Sequence, residues 1–199
     1  MTKNILVATF LAVALVSCSS DDDNTPAQEP IQTELASNLY APQTGGQGEP
    51  VGGEFTKFDF ETGAETTSDA EWDIAFRGTT IAINGGTETG TADEPTRNGN
   101  VGVAIVTGTL ASVTSADGLI FNQDDDAAFA NYAGPPSHLI TPIPGKIFVF
   151  RTSAGNYAKV EIISYYENAP AEPDAFTDAT PYYTFNYVYN PNEGETSFE

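Results

Sequence analysis

The chain has 199 residues, with 28 Asp and Glu against 7 Lys and Arg, a formal net charge of −21, and one His, one Cys and one Met. So acidic a chain repels nucleic acid and anionic lipid headgroups, both bound chiefly through Lys and Arg, so nucleic acid is excluded as a partner. A lone Cys cannot build a disulfide framework, and a single His without partners leaves no Ser-His-Asp set and no zinc cluster, so an enzyme is not expected.

Residues 1–17 read as a targeting segment: Lys3 is its charged start, and residues 5–16 form an apolar run too short to span a bilayer as a helix. The run ends in Leu15-Val16-Ser17-Cys18, which resembles the lipobox of bacterial lipoproteins. That resemblance implies diacylation of Cys18 and anchoring to the outer membrane. Residues 18–32, with Asp21-Asp22-Asp23 and a Pro/Gln/Glu-rich stretch, carry no apolar periodicity and are expected to be a flexible tether. The acidic run behind Cys18 also resembles a surface-export signal of Bacteroidota lipoproteins, which implies an outward-facing protein. Residues 33–199 are then one domain, large enough to bury roughly 70% of its unfolded surface.

Within that domain, residues 53–61 place Phe58 and Phe60 on one face and Phe55 on the other, as a strand does. Residues 62–71 read as a polar turn region. Trp72, Ile74 and Phe76 alternate into a core, and the run continues through Ile81 and Ile83 to Asn84-Gly85-Gly86. Residues 87–100, rich in Gly, Thr and Asp, read as a long exposed loop. Residues 101–106 are almost wholly apolar, the mark of a strand covered on both faces. Asp124-Asp125-Asp126 are expected to open a short helix over 127–132, their carboxylates at its positive end. Four prolines in 134–145 argue against regular structure there. Residues 146–166 give the clearest signal. Phe148 and Phe150 alternate with Ile147 and Val149, a Ser153-Ala154-Gly155-Asn156 turn follows, and a second run places Ala158, Val160, Ile162 and Ser164 opposite Tyr157, Lys159, Glu161, Ile163 and Tyr165. Residues 167–181 read as a Pro/Asp-rich loop. Residues 182–189 close the domain as an aromatic strand with Tyr183, Phe185, Tyr187 and Tyr189 on one face. The fold class is all-β, mostly antiparallel sheets with long loops and at most one short helix.

Trp72-Asp73-Ile74-Ala75-Phe76 with the later Asn84-Gly85-Gly86, the Pro144-Gly145-Lys146 lead-in to the hairpin, and the terminal YYTFNYVYNP together resemble the HmuY-like haem-binding lipoproteins of Bacteroidota. The resemblance spans residues 53–190. It implies a mostly-β outer-membrane lipoprotein or shed haemophore that holds haem and passes it to a TonB-dependent receptor. In that family two axial His or Met side chains grip the iron. Met1 leaves with the leader, so His138 is the one such residue of the mature chain and a two-ligand site is impossible. His138 lies in the corresponding segment, although the family's ligand falls nearer 132–135, and the loop expected to bring the other ligand is shortened around 117–126.

His138 is therefore the candidate iron ligand, and a lone loop histidine is the plainer reading. Tyr132, Tyr157 and Tyr165 are candidates to stack on a porphyrin or to ligate ferric iron, with core-edge packing the plainer role. Asp117 with 124–126 lacks the spacing of a calcium loop and reads as a solvated turn. The rival functions are a structural or adhesion lipoprotein that kept the scaffold, and a binder of glycans on exposed Tyr and Trp faces.

Overall fold

A computed structural model of the chain describes residues 28–46, 48–123 and 129–199. Cys18, the targeting segment, most of the tether and Asp124-Asp125-Asp126 lie outside the described residues.

The strands are β1 (Gln32–Tyr40), β2 (Thr44–Gly46), β3 (Glu49–Gly52), β4 (Thr56–Asp59), β5 (Ala64–Thr66), β6 (Ile74–Arg77), β7 (Thr80–Ile83), β8 (Gly102–Thr107), β9 (Ala130–Tyr132), β10 (Ile140–Pro142), β11 (Lys146–Arg151), β12 (Tyr157–Ser164) and β13 (Tyr182–Asn190). The only helical element among the described residues is a 3-10 turn, Leu110–Ser112, so the all-β expectation holds. Every ladder is antiparallel. A five-stranded sheet runs β1-β13-β12-β11-β8 and a four-stranded one β5-β4-β6-β7, with two-stranded ribbons β2-β3 and β9-β10 beside them.

The hairpin at the centre of the large sheet forms as its period-2 pattern dictates. Phe148 pairs with Val160 and Phe150 with Ala158. The turn between them is closed by Thr152 N–H donating to the Asn156 carbonyl at 2.9 Å, with Gly155 at φ +84°, a conformation glycine takes without steric cost. The main core lies between the two larger sheets and is made of rings: Phe58 meets Phe185 at 5.3 Å, Phe76 meets Tyr183 at 4.4 Å, and Phe60 meets Phe150 at 5.2 Å between centroids. These are the tilted and edge-on geometries that the ring quadrupole favours. A second apolar cluster, with Ile147, Val149 and Val188, lies on the outer face of the large sheet, where Val113, Ala116 and Phe198 cover it.

Several expectations need correction. Trp72 does not join Ile74 and Phe76 in the main core. It precedes β6 and packs with Phe55, Ala75 and Ala82 on the outer side of the small sheet. Tyr165 leaves the face of Tyr157 and enters the main core, because the register of β12 on β13 shifts between Ile162 and Ser164. A bulge of this kind turns every following side chain over. Lys159, on the face of Tyr157 as the pattern places it, is 4% exposed. Its Nζ donates to the carbonyls of Leu110 at 2.7 Å and Val113 at 2.8 Å, which seats the 3-10 turn on the sheet. Ile105 is 43% exposed, so the edge strand β8 is not covered on both faces. The polar turn region 62–71 contains β5, and the proline-rich 134–145 contains β10. Residues 130–132, expected to be helical, are β9. β1 opens at Gln32, and Asn192 is tied to Glu29 by two 2.8 Å bonds ahead of it.

Candidate functional site

The segment that carries Tyr132 and His138 is a short ribbon laid against one end of the core. β9 and β10 pair Ile140 with Tyr132 and Pro142 with Ala130. Pro142 can sit here because the ribbon has only two strands, so a missing N–H breaks no sheet interior. The base is held firmly. Phe129 is buried, with its ring 5.1 Å from Tyr183 and 6.0 Å from Tyr165, and Ile140 N–H donates to the Tyr166 hydroxyl at 3.0 Å. Leu139 and Ile140 pack against the main core from the same side.

The ribbon's tip is built to present one side chain. Ala133 N–H donates to the Leu139 carbonyl at 2.9 Å, and His138 N–H to the Gly134 carbonyl at 2.8 Å. That closure puts His138 at φ +53°, the left-handed region, which disfavours a side-chain-bearing residue by roughly 1–2 kcal/mol. The imidazole is exposed, and its Nδ1 shares a short hydrogen bond with the Tyr132 hydroxyl. When Nδ1 carries the proton and donates it to the Tyr132 oxygen, the Nε2 lone pair is free for a metal. Tyr132 is then the orienting partner of His138.

A third ring comes from the loop 167–181. Phe176 is 72% exposed and stands edge-on to the His138 imidazole at 5.8 Å. Two aspartates fix its turn: the Asp174 carboxylate accepts from Phe176 N–H at 2.9 Å, and the Asp178 carboxylate accepts from Asp174 N–H at 2.7 Å. Side chains of Asp cap turns in this way because their oxygens reach backbone donors a few residues away. Beside this rim opens a largely apolar cleft of about 340 Å³ lined by Thr79, Phe129, Ala130, Asn131, Tyr132 and Ile140. Tyr132, 62% exposed, belongs to both.

The structure thus brings Tyr132 and His138 together and adds Phe176, which the sequence left inside a loop. It does not bring Tyr157 there. Tyr157 begins β12, ring to ring with Phe121 at 5.7 Å, whereas Tyr166, the ribbon's anchor, lies beyond the other end of the strand, roughly 25 Å or more along it. Tyr165 is equally unsuited to ligate iron as a phenolate: it is buried, and burial pushes its hydroxyl up to about 12. Trp72, 2% exposed, offers no face to a glycan.

The residues at the rim fit the ring and iron of a haem: one free imidazole nitrogen, two exposed aromatic rings and an apolar floor. His138 is the one imidazole among them. Among the described residues there is no group of three or more His, Cys, Asp or Glu placed to hold a metal ion. A second cleft, of about 370 Å³, differs in kind. Asp59, Glu61, Glu71, Asp73, Thr152 and Tyr189 are among its lining, and burial raises the Asp73 carboxyl to about 7 despite the Phe60 N–H it accepts.

No helix among the described residues is long and apolar enough to cross a membrane. No family model and no curated protein matches the chain. Solved structures do. A lipoprotein candidate from Bacteroides fragilis aligns at TM-score 0.46 and 14% identity, over 81% of this chain and 90% of that one. An HmuY-like haem-binding candidate from Bacteroides vulgatus aligns at TM-score 0.43 and 18% identity, over 81% and 93%. The apo HmuY analogue of Tannerella forsythia aligns at TM-score 0.50 and 12% identity over 83% of this chain and 99% of that one, and this likeness gives the chain the fold of an HmuY analogue.

Proposed function

We propose that this chain is a lipid-anchored, outward-facing outer-membrane protein that binds haem through His138 and delivers it to a TonB-dependent receptor. The observation that carries the reading is the rim itself: His138, Tyr132 and Phe176, three exposed rings from two separate segments, converge beside an apolar cleft. Exposed aromatic rings contribute nothing to a core, so their convergence is more economically explained by a ligand than by packing. The division into a leader at 1–17, an acidic tether at 18–32 and a β domain at 33–199, with Cys18 acylated, belongs to the same proposal.

In this reading His138 Nε2 would hold the iron, Tyr132 would set the tautomer and orientation of that imidazole, and Phe176 would offer its exposed ring to the ligand. Haem, when bound, would supply a Lewis-acidic iron for that nitrogen. The protein's part is to hold the ring and exclude water from one of its sides. With one donor, binding is weaker than in a two-ligand site.

The test is titration of the chain, purified in detergent, with haemin. A saturable Soret shift in either the oxidised or the reduced state is expected, and its absence in both sinks the haem reading. A non-haem binder is favoured by one observation, the second cleft, whose carboxylates and hydroxyls suit a polyhydroxylated ligand such as a glycan. Binding of oligosaccharide without haemin would select that reading.

A further inference from the structure

We infer that the cleft beside Tyr132 grips the apolar ring of a planar macrocycle and leaves that ligand's carboxylates ungripped, in water. The inference rests on the haem-type reading of the same rim and concerns what the site recognises in such a ligand.

The charge inventory carries it. A carboxylate-bearing ligand is ordinarily fixed by Arg or Lys, and among the described residues no Arg or Lys lines this cleft. The cations of the described residues are committed elsewhere. Arg77, 1% exposed, donates to the carbonyls of Gly53 and Ala92 and lies over the Phe55 ring. Arg97 bonds Glu94 at 2.5 Å, and Lys57 bonds Asp69 at 3.1 Å and the Ser68 carbonyl at 2.6 Å. Lys159 is buried under the 3-10 turn, and Arg151 covers the Phe121 ring at 5.6 Å on the far side of the hairpin. Lys146, at the start of β11, has an interaction of its own.

What flanks the rim is negative. The carboxylates of Asp174 and Asp178 that shape the Phe176 turn stand beside the ring, with exposed Glu172 just before them. Added to a formal net charge of −21, they make the approach of an anionic group unfavourable. The cleft's size agrees. At about 340 Å³ it is at the small end of ligand sites, enough for one side of a macrocycle, with the opposite edge in solvent. The apolar side therefore enters and the acid groups stay outside.

The experiment compares haemin with its dimethyl ester, both titrated into the detergent-purified chain and each referred to the same detergent without protein. It is run at low and high ionic strength, roughly 0.02 and 0.5 M, so that screening separates charge from packing. The ester is expected to bind at least as tightly as the acid at low salt. The acid's affinity is expected to hold or rise as salt increases, because screening relieves repulsion. Phe176→Ala should weaken both ligands by a similar factor, roughly tenfold, since it removes ring contact alone. Tighter binding of the acid, lost as salt rises, would reveal a cation gripping the carboxylates and overturn the inference while leaving the haem reading intact. Binding of neither ligand overturns both. A Phe176→Ala loss confined to one ligand also overturns it, because the ring would then not be the shared element.

Discussion

The sandwich core and the aromatic rim are built from the same residue types and do opposite things with them. In the core, Phe185 is fully buried between Phe58 and Phe76, and each ring is held by its neighbours. At the rim, Phe176 and Tyr132 are mostly in water, Tyr132 beside a backbone closure and Phe176 on a turn shaped by aspartates. Burial makes a core ring a source of stability. Exposure makes a rim ring nearly free of the fold and available to something else. The two regions should therefore separate cleanly on mutation.

The largest expected effect is in the core. Phe185→Ala should lower unfolding free energy by about 3–5 kcal/mol, the lost ring contacts plus the cavity left behind, measured by urea denaturation. A loss below about 1 kcal/mol would mean the two sheets do not pack through these rings.

Next comes a buried acid at the border of the two larger sheets. Asp73 has its folded value raised to about 7, chiefly by burial and then by Asp59 and Glu61 beside it, from an ordinary value near 3.8. The folded state therefore holds a proton that the unfolded state has released between roughly pH 4 and 7, so stability from this group falls as pH rises through that window. The penalty above pH 7 is at most about 4 kcal/mol. Denaturation at pH 5 and pH 8 should find wild type more stable at pH 5, with the difference much reduced in Asp73→Asn. An unchanged slope in the variant would place the titrating group elsewhere.

A smaller effect is expected at Lys159. Lys159→Met keeps the apolar stem and leaves the Leu110 and Val113 carbonyls without their donor, at a cost of about 1–3 kcal/mol. Calorimetry that finds no loss would show that water replaces the ammonium there.

How much of this was legible in the sequence follows the same divide. β11, β12 and β13 announced themselves by the alternation of their large apolar residues, and the pairing of Phe148 with Val160 and of Val160 with Tyr187 follows it up to the bulge between Ile162 and Ser164. β1 was silent because its residues are mostly exposed, so no apolar stripe marks Gln32–Tyr40. The three-residue strands β5, β9 and β10 were silent for another reason: their pairing is set by turn closure, and three residues are too few for a period to show. Tyr165 was assigned by alternation, which one bulge overrode, whereas Lys159 lies on the face of Tyr157 as alternation places it, under a capped turn that no period marks. At the site, His138 and Tyr132 could be named from residue type alone, but their hydrogen bond required the ribbon. Phe176 was hidden in a loop, although Asp174 and Asp178 bracketing it were a usable sign of a shaped turn. Tyr157 failed because strand length, not residue type, decides which end of a sheet a tyrosine reaches.

The smallest expected stability effect is at the rim, and it carries the central claim. His138 holds φ +53°, which glycine adopts without penalty, so His138→Gly should leave stability unchanged or raise it by up to about 1 kcal/mol. Haemin titration of His138→Gly beside wild type, with thermal melts of both apo proteins, tests the account most directly. The account predicts a saturable Soret shift in wild type, none in the variant, and a melting temperature no lower than that of wild type. A folded variant that binds haemin as tightly as wild type would contradict it, because the aromatic rim would then not be where the iron is held.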